Sequence, residues 1–181
     1  VYGGSVDRRR FLSTIVTAAP ALALPVGSSA AALPDFRALH FRHLHTGERL
    51  AVEYASSGRY VPDALTSIDH LLRDFRTNDV HPIDPALLDL LHALNAVTGS
   101  RQPFEVISGY RSPRTNQQLR ARSSGVASGS LHMKGQAIDI RVGDVRLAAL
   151  RDAARSLRRG GVGYYAASNF VHVDTGRVRT W

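Results

Sequence analysis

Apolar and polar residues alternate from Leu39 to Ala55 in two short runs, LHFRHLH and ERLAVEYA, on either side of Thr46-Gly47. This period of two predicts a β-hairpin that turns at the glycine. The period then lengthens: Leu65, Ile68, Leu72 and Phe75 recur three or four apart behind Pro62, which predicts a helix over residues 62–75. Asp84 followed by Pro85 reads as the cap and first turn of a second helix, carried by Leu87, Leu91 and Leu94 and stopped at Gly99. Beyond it, Phe104–Ser108 predicts a strand, residues 109–113 a turn and residues 115–122 a short polar helix. A Gly- and Ser-rich loop over residues 123–130 leads to a strand at Ala137–Val142. Asp144 is expected to cap an amphipathic helix on Leu147, Leu150 and Leu157 that ends at Gly160-Gly161, and Gly161–Tyr165 and Phe170–Asp174 predict two last strands. Helices segregated around strands, instead of alternating strictly with them, predict an α+β fold with a small, largely antiparallel sheet and flanking helices.

The N-terminal stretch reads differently. Arg8-Arg9-Arg10-Phe11-Leu12 precedes an apolar segment over residues 13–26 and small residues over 27–32, the layout of a secretory signal. The apolar part is too short to span a bilayer comfortably, and the paired arginines before Phe-Leu resemble a twin-arginine signal. The expected organisation is a signal over residues 1–31 and one domain over residues 32–181, exported to the periplasm or cell envelope, with no transmembrane segment in the mature chain. A chain of 181 residues can bury one real core but hardly two.

Composition narrows the chemistry. The formal charge is +8 and comes almost wholly from arginines scattered along the chain, with Lys134 the only lysine, which reads as a solvated basic surface. No motif interleaves basic and aromatic residues, so nucleic acid is not the expected partner. The absence of cysteine excludes disulfides, a thiol nucleophile and thiolate metal sites. Any metal must be held by His, Asp or Glu.

Two clusters carry candidate chemistry. In the strand at Ala137–Val142, alternation points Ala137, Asp139 and Arg141 one way and Ile138, Ile140 and Val142 into the core, with His132 on the loop entering that strand. In Phe170–Asp174, Val171 and Val173 face the core while His172 and Asp174 share the other face, roughly 6.5 Å apart along the backbone. Two imidazoles and one carboxylate suit Zn²⁺, which in catalytic sites keeps a fourth position open. No glutamate follows Glu105, so Asp174 is the candidate carboxylate for proton transfer. Taken singly, each histidine could equally be a hydrogen-bonded structural residue, and Asp139 an ion-pair partner of Arg111 or Arg141.

The pattern SxHxxGxAxD over residues 130–139 resembles the signature of the M15-type peptidases, related to D-Ala-D-Ala peptidases and the hedgehog amino-terminal domain. The resemblance is closer to the murein endopeptidase K-like branch and extends through HTGE at 45–48, LLRDFR at 71–76, SGYRS at 108–112, GGVGYY at 160–165 and FVHVDTG at 170–176. It implies a hedgehog/D-Ala-D-Ala peptidase-like fold, a zinc site made by His132, Asp139 and His172, and hydrolysis of peptidoglycan cross-links, those between two diaminopimelate residues first. A D,D-endopeptidase, a carboxypeptidase on stem peptides and a catalytically weak binding module are the alternatives. Many M15-type enzymes carry a glutamate three residues before the last histidine, where this chain has Asn169, and some carry His-x-His where it has His172-Val173-Asp174. The resemblance therefore leaves two roles open for Asp174, base or orienter of an imidazole, and leaves the third ligand between His172 and Asp174. Arg111 is the candidate for binding a substrate carboxylate or a developing oxyanion, and Tyr110, Ser130 and Tyr165 are expected to line the pocket.

Overall fold

The computed structural model describes residue 1, residues 36–123 and residues 125–181; the export signal expected over residues 1–31 lies, apart from residue 1, outside the described residues. The hairpin forms as its alternation predicts. Strands β1 (Phe36–His43) and β2 (Arg49–Ser56) pair antiparallel, and the turn closes through His43 N–H to the Glu48 carbonyl at 2.9 Å and Gly47 N–H to the His43 carbonyl at 2.9 Å. A two-residue strand, β3 (Arg59–Tyr60), continues the sheet beyond β2 and was too short to carry a period.

Helix α1 (Pro62–Leu71) starts at the predicted proline but stops four residues before Phe75. The Asp74 carboxylate accounts for the stop, because it accepts hydrogen bonds from Arg76 N–H at 3.0 Å, Ser112 N–H at 2.9 Å and the Ser112 hydroxyl at 2.7 Å. Those contacts turn the chain, and Phe75 leaves the helix to stack on His45 at 4.1 Å between ring centroids. Helix α2 (Pro85–Thr98) has the predicted ends: the Asp84 side chain accepts from Ala86 N–H at 2.9 Å, and Gly99 closes it in the left-handed conformation. After β4 (Phe104–Ser108), helix α3 (Pro113–Arg122) begins two residues earlier than expected, because Ser112 caps it by accepting from Thr115 N–H at 3.2 Å and Pro113 fills the first turn.

A 3₁₀ turn at Leu131–Lys134 leads into β5 (Ala137–Val142). Helix α4 (Leu147–Leu157) does not use Asp144 as its cap: Arg146 occupies the cap position without a side-chain bond, while Asp144 accepts from the Ser100 hydroxyl at 2.6 Å. A turn from Val145 N–H to the Val142 carbonyl occupies the residues between strand and helix, so the helix starts later. Strands β6 (Gly161–Tyr165), β7 (Phe170–Asp174) and the two-residue β8 (Arg179–Thr180) complete one sheet in the order β3-β2-β1-β4-β5-β7-β6-β8.

Over the described residues the fold is α+β, with an eight-stranded, mostly antiparallel sheet and four helices. Two pairings are parallel, β1 with β4 and β6 with β8. Helices α2 and α4 pack together over β1, β5 and β7, and the core they cover includes Leu39, Phe41, Phe104, Val106, Ile138, Ile140, Val171 and Val173 against Leu87, Leu91, Leu94 and Leu150. Each such side chain, fully buried, contributes about 1.5–3 kcal/mol relative to exposure, so this face anchors the strands that carry polar groups on their other side.

Gly135 ends the 3₁₀ turn at φ 65°, and a Cβ there would run into the Pro82 carbonyl oxygen. Gly135→Ala is expected to destabilise the fold by more than about 1 kcal/mol, read as a lowered midpoint in thermal denaturation, because both the backbone conformation and the space exclude a side chain.

Candidate metal centre

Strands β5 and β7 are neighbours, and their antiparallel register sets Asp139 directly opposite His172. His132 reaches the same point from the 3₁₀ turn that precedes β5. That turn is fastened to the loop after β4: the His132 carbonyl accepts from Arg111 N–H at 3.2 Å, and His132 Nδ1 lies 2.7 Å from the Gly109 carbonyl. The three side chains are 3%, 5% and 8% exposed for His132, Asp139 and His172, and one ligand atom from each lies within 4.8 Å of the others.

The hydrogen bonds decide which ring nitrogens are free. A carbonyl only accepts, so His132 Nδ1 carries its proton toward Gly109 and Nε2 presents a lone pair to the centre. His172 Nε2 lies 3.0 Å from Asp174 Oδ2, an acceptor, which leaves Nδ1 facing inward. His132 Nε2, His172 Nδ1 and Asp139 Oδ1 then converge, with separations of 3.2 Å between the nitrogens, 2.9 Å from His172 Nδ1 to Asp139 and 3.3 Å from His132 Nε2 to Asp139. Three electron-pair donors at such range need a proton or a cation among them, and two imidazoles with a carboxylate are a donor set that fits a divalent metal.

Asp174 sits behind this cluster and is completely buried. Its Oδ1 accepts from Gly161 N–H at 3.0 Å, Gly176 N–H at 2.8 Å and Arg179 at 3.0 Å, while Oδ2 takes His172 Nε2 and a second Arg179 contact at 2.7 Å. Both oxygens are engaged, and the side chain does not line the cleft in front of the cluster. In this geometry Asp174 Oδ2 braces the His172 ring from the side away from the cleft.

The charges support each other. Burial pushes the Asp139 carboxyl up, but the His132 and His172 imidazoles more than reverse this and hold it well below the usual carboxylate range. Asp174 is likewise raised by burial and lowered further by His172, Arg179 and the two glycine N–H groups. Burial disfavours the His172 imidazolium, yet hydrogen bonds to Asp139 and Asp174 raise its pKa above the ordinary 6.5. A raised histidine stabilises the fold fully below its ordinary pKa and loses that contribution as pH rises through the raised value; a lowered carboxylate contributes above its ordinary 3.8 and loses it as pH falls through the lowered value. Metal-free protein is therefore expected to lose thermal stability both as pH rises through the raised His172 value and in strong acid. Metal affinity should climb with pH over the same rise as the His172 proton is displaced. Melting curves against pH, with and without metal, check both signs.

The cluster forms part of the floor of a cleft of about 670 Å³. Of the residues expected to bind substrate, Arg111, Ser130 and Tyr165 line it. Tyr110 does not: its ring stacks on His81 at 4.7 Å and packs against the core. The Tyr110 N–H is tied to the Leu72 carbonyl at 2.7 Å, which turns that side chain away while Arg111, one residue on, faces the cleft. Arg111 comes within 3.6 Å of Asp139 Oδ2, and its Nε is buried without a partner. Burial lowers its pKa.

Arg179 and Trp181, both on the cleft wall, were missed in the sequence. The signal for them was the spacing Gly161-x-Gly163: a Cβ on Gly161 would meet Arg179, and one on Gly163 would lie 2.7 Å from the Trp181 ring.

A buried imidazole pair and carboxylate, oriented from behind and open to a cleft in front, form the donor set of a metal-dependent hydrolase. The chain belongs to the family described as Peptidoglycan L,D-endopeptidase MepK, whose model matches residues 31–181. It is 45% identical over 176 residues to Peptidoglycan L,D-endopeptidase MepK of Escherichia coli K12, covering 97% of each chain. It is 49% identical over 149 residues to a Probable peptidoglycan L,D-endopeptidase MepK of Haemophilus influenzae, covering 82% of this chain and 80% of that one. Among solved structures, the L-Ala D-Glu endopeptidase ChiX of Serratia marcescens matches 42% of this chain and 62% of its own at 25% identity, with a TM-score of 0.34.

Proposed function

We propose that the chain is a zinc-dependent L,D-endopeptidase that opens peptidoglycan cross-links between two diaminopimelate residues. The observation that carries this reading is the convergence of His132 Nε2, Asp139 Oδ1 and His172 Nδ1 at the cleft, in a chain of the L,D-endopeptidase family. These three atoms would hold the ion, and zinc is favoured by two imidazoles, one carboxylate and no thiolate. Zinc held there would supply Lewis acidity toward a water and the scissile carbonyl.

The chain's own residues do the positioning. The Gly109 carbonyl fixes the ring of His132, and Asp174 fixes that of His172. The Arg111 guanidinium, with an unpaired buried N–H beside the cluster, binds a stem-peptide carboxylate or the carbonyl oxygen as charge builds on it. Ser130 and Tyr165 supply further polar groups to the wall. Among the described residues lining the cleft, the only carboxylate and imidazole groups are the three proposed ligands, so Asp174 is assigned as a positioning residue.

Residues 1–31 are read as a twin-arginine-type export signal and residues 32–181 as the working domain, which places the enzyme in the periplasm, where its polymer lies. Among the described residues, no helix is long and apolar enough to cross a membrane. The test is incubation of zinc-loaded protein with defined muropeptide dimers of both cross-link types, read by mass spectrometry. Cleavage of the diaminopimelate-diaminopimelate dimer is expected. Cleavage of only the D-Ala-diaminopimelate dimer would replace the bond, and binding without cleavage of either would replace the enzyme with a peptidoglycan-binding module.

A further inference from the structure

Trp181 is the single tryptophan of the chain, and it stands at the cleft wall with half of its surface exposed. Its backbone is fixed at the sheet edge, donating to the Val162 carbonyl at 3.2 Å and accepting from Tyr164 N–H at 3.0 Å. Its ring lies over Gly163, with the Arg179 guanidinium 4.8 Å from the ring centroid and the His172 ring 5.3 Å away. The indole N–H donates to the Tyr165 hydroxyl at 2.8 Å.

An indole nitrogen donates and never accepts, so in this pair the phenol oxygen is the acceptor and the phenol keeps its own proton for another partner. Among the described residues the Tyr165 side chain makes no other hydrogen bond. The ring beneath that hydroxyl is held as well, stacked on Phe170 at 4.5 Å with 19° between planes. A tyrosine clamped at both ends and facing a cleft has lost most of the rotamer freedom that binding would otherwise freeze.

We propose that Trp181 is a positioning residue for the reaction, fixing the Tyr165 hydroxyl so that its O–H donates to an oxygen of the bound peptide beside Arg111. The proposal rests on the reading of the cleft as an L,D-endopeptidase site. Tyr165 is the group that touches substrate, and Trp181 acts through it. A preorganised donor of this kind contributes where charge develops on the peptide oxygen, so its loss should fall on kcat more than on KM.

Four zinc-loaded proteins decide the matter: wild type, Tyr165→Phe, Trp181→Phe and the double variant, each first matched by thermal midpoint. On the cross-linked dimer, each single variant is expected to lose about tenfold in kcat with KM within about twofold, and the double variant should be no slower than Tyr165→Phe. Wild-type kcat in Trp181→Phe, or losses that multiply in the double variant, would overturn the link. Emission from the single tryptophan gives a readout apart from activity. Tyr165→Phe removes the acceptor of the indole N–H and is expected to shift the spectrum, whereas an unchanged spectrum would show that the pair is not made. If wild type cleaves neither dimer, the endopeptidase reading fails, and the emission comparison still decides whether Trp181 holds Tyr165.

Discussion

Replacing His132 with alanine is expected to lower kcat/KM by about a thousandfold or more, since metal catalysis supplies several kcal/mol of transition-state stabilisation. The protein should also lose most of its zinc, measured by elemental analysis after gel filtration. The size of the effect follows from the geometry. His132 enters from a turn, its ring orientation set by one backbone carbonyl, while Asp139 and His172 are set by the sheet, and among the described residues lining the cleft there is no further imidazole or carboxylate to replace its Nε2. Retained zinc with lost activity would place the ion elsewhere. Retained activity would remove the cluster from the chemistry altogether.

Asp174→Asn is the second large effect, and it separates two roles. An amide can still accept from His172 Nε2 with its oxygen, but its NH₂ then faces Arg179 or the glycine N–H groups, all of which are donors. Breaking this buried charge pair is expected to cost about 3 kcal/mol in denaturant unfolding, at the low end of the usual range because Arg179 is partly exposed. Zinc affinity should fall by about 10- to 100-fold, the usual consequence of losing the group that orients a ligating histidine. A variant that bound zinc as wild type and lost only kcat would instead make Asp174 the proton acceptor. Titration with a chromogenic zinc chelator distinguishes the two.

Most strands and helices were legible because their periods are clean: alternation in 39–55, and leucines three and four apart behind Asp84-Pro85. What could not be read were contacts made across long stretches of chain. Helix α1 ends early because Asp74 finds Ser112, and Asp144 fails to cap α4 because Ser100 holds it; no local window contains both members of either pair. The site followed the same division. Asp139 and His172 stand in short motifs whose alternation puts polar groups on one face, and His132 sits just ahead of the first of them, so the candidacy of all three could be stated from sequence. The role of Asp174 could not, because it depends on Arg179 and two glycine N–H groups closing around it. Tyr110 and Arg111 are adjacent in SGYRS, and only the hydrogen bond from Tyr110 N–H to Leu72 reveals which of them turns to the cleft.

The pairing of β5 with β7 has a consequence for how such a centre can arise and fail. Ile138 with Val173 and Ile140 with Val171 are matched across the same two strands that match Asp139 with His172. A slip of β7 by one residue would send Val171 and Val173 to the cleft and His172 into the apolar layer under α4, so the hydrophobic driving force that selects this register also selects the geometry of the candidate ligands. Assembling the centre and folding the sheet are one cooperative event. A damaged core at these strands should therefore lower metal affinity and the thermal midpoint together.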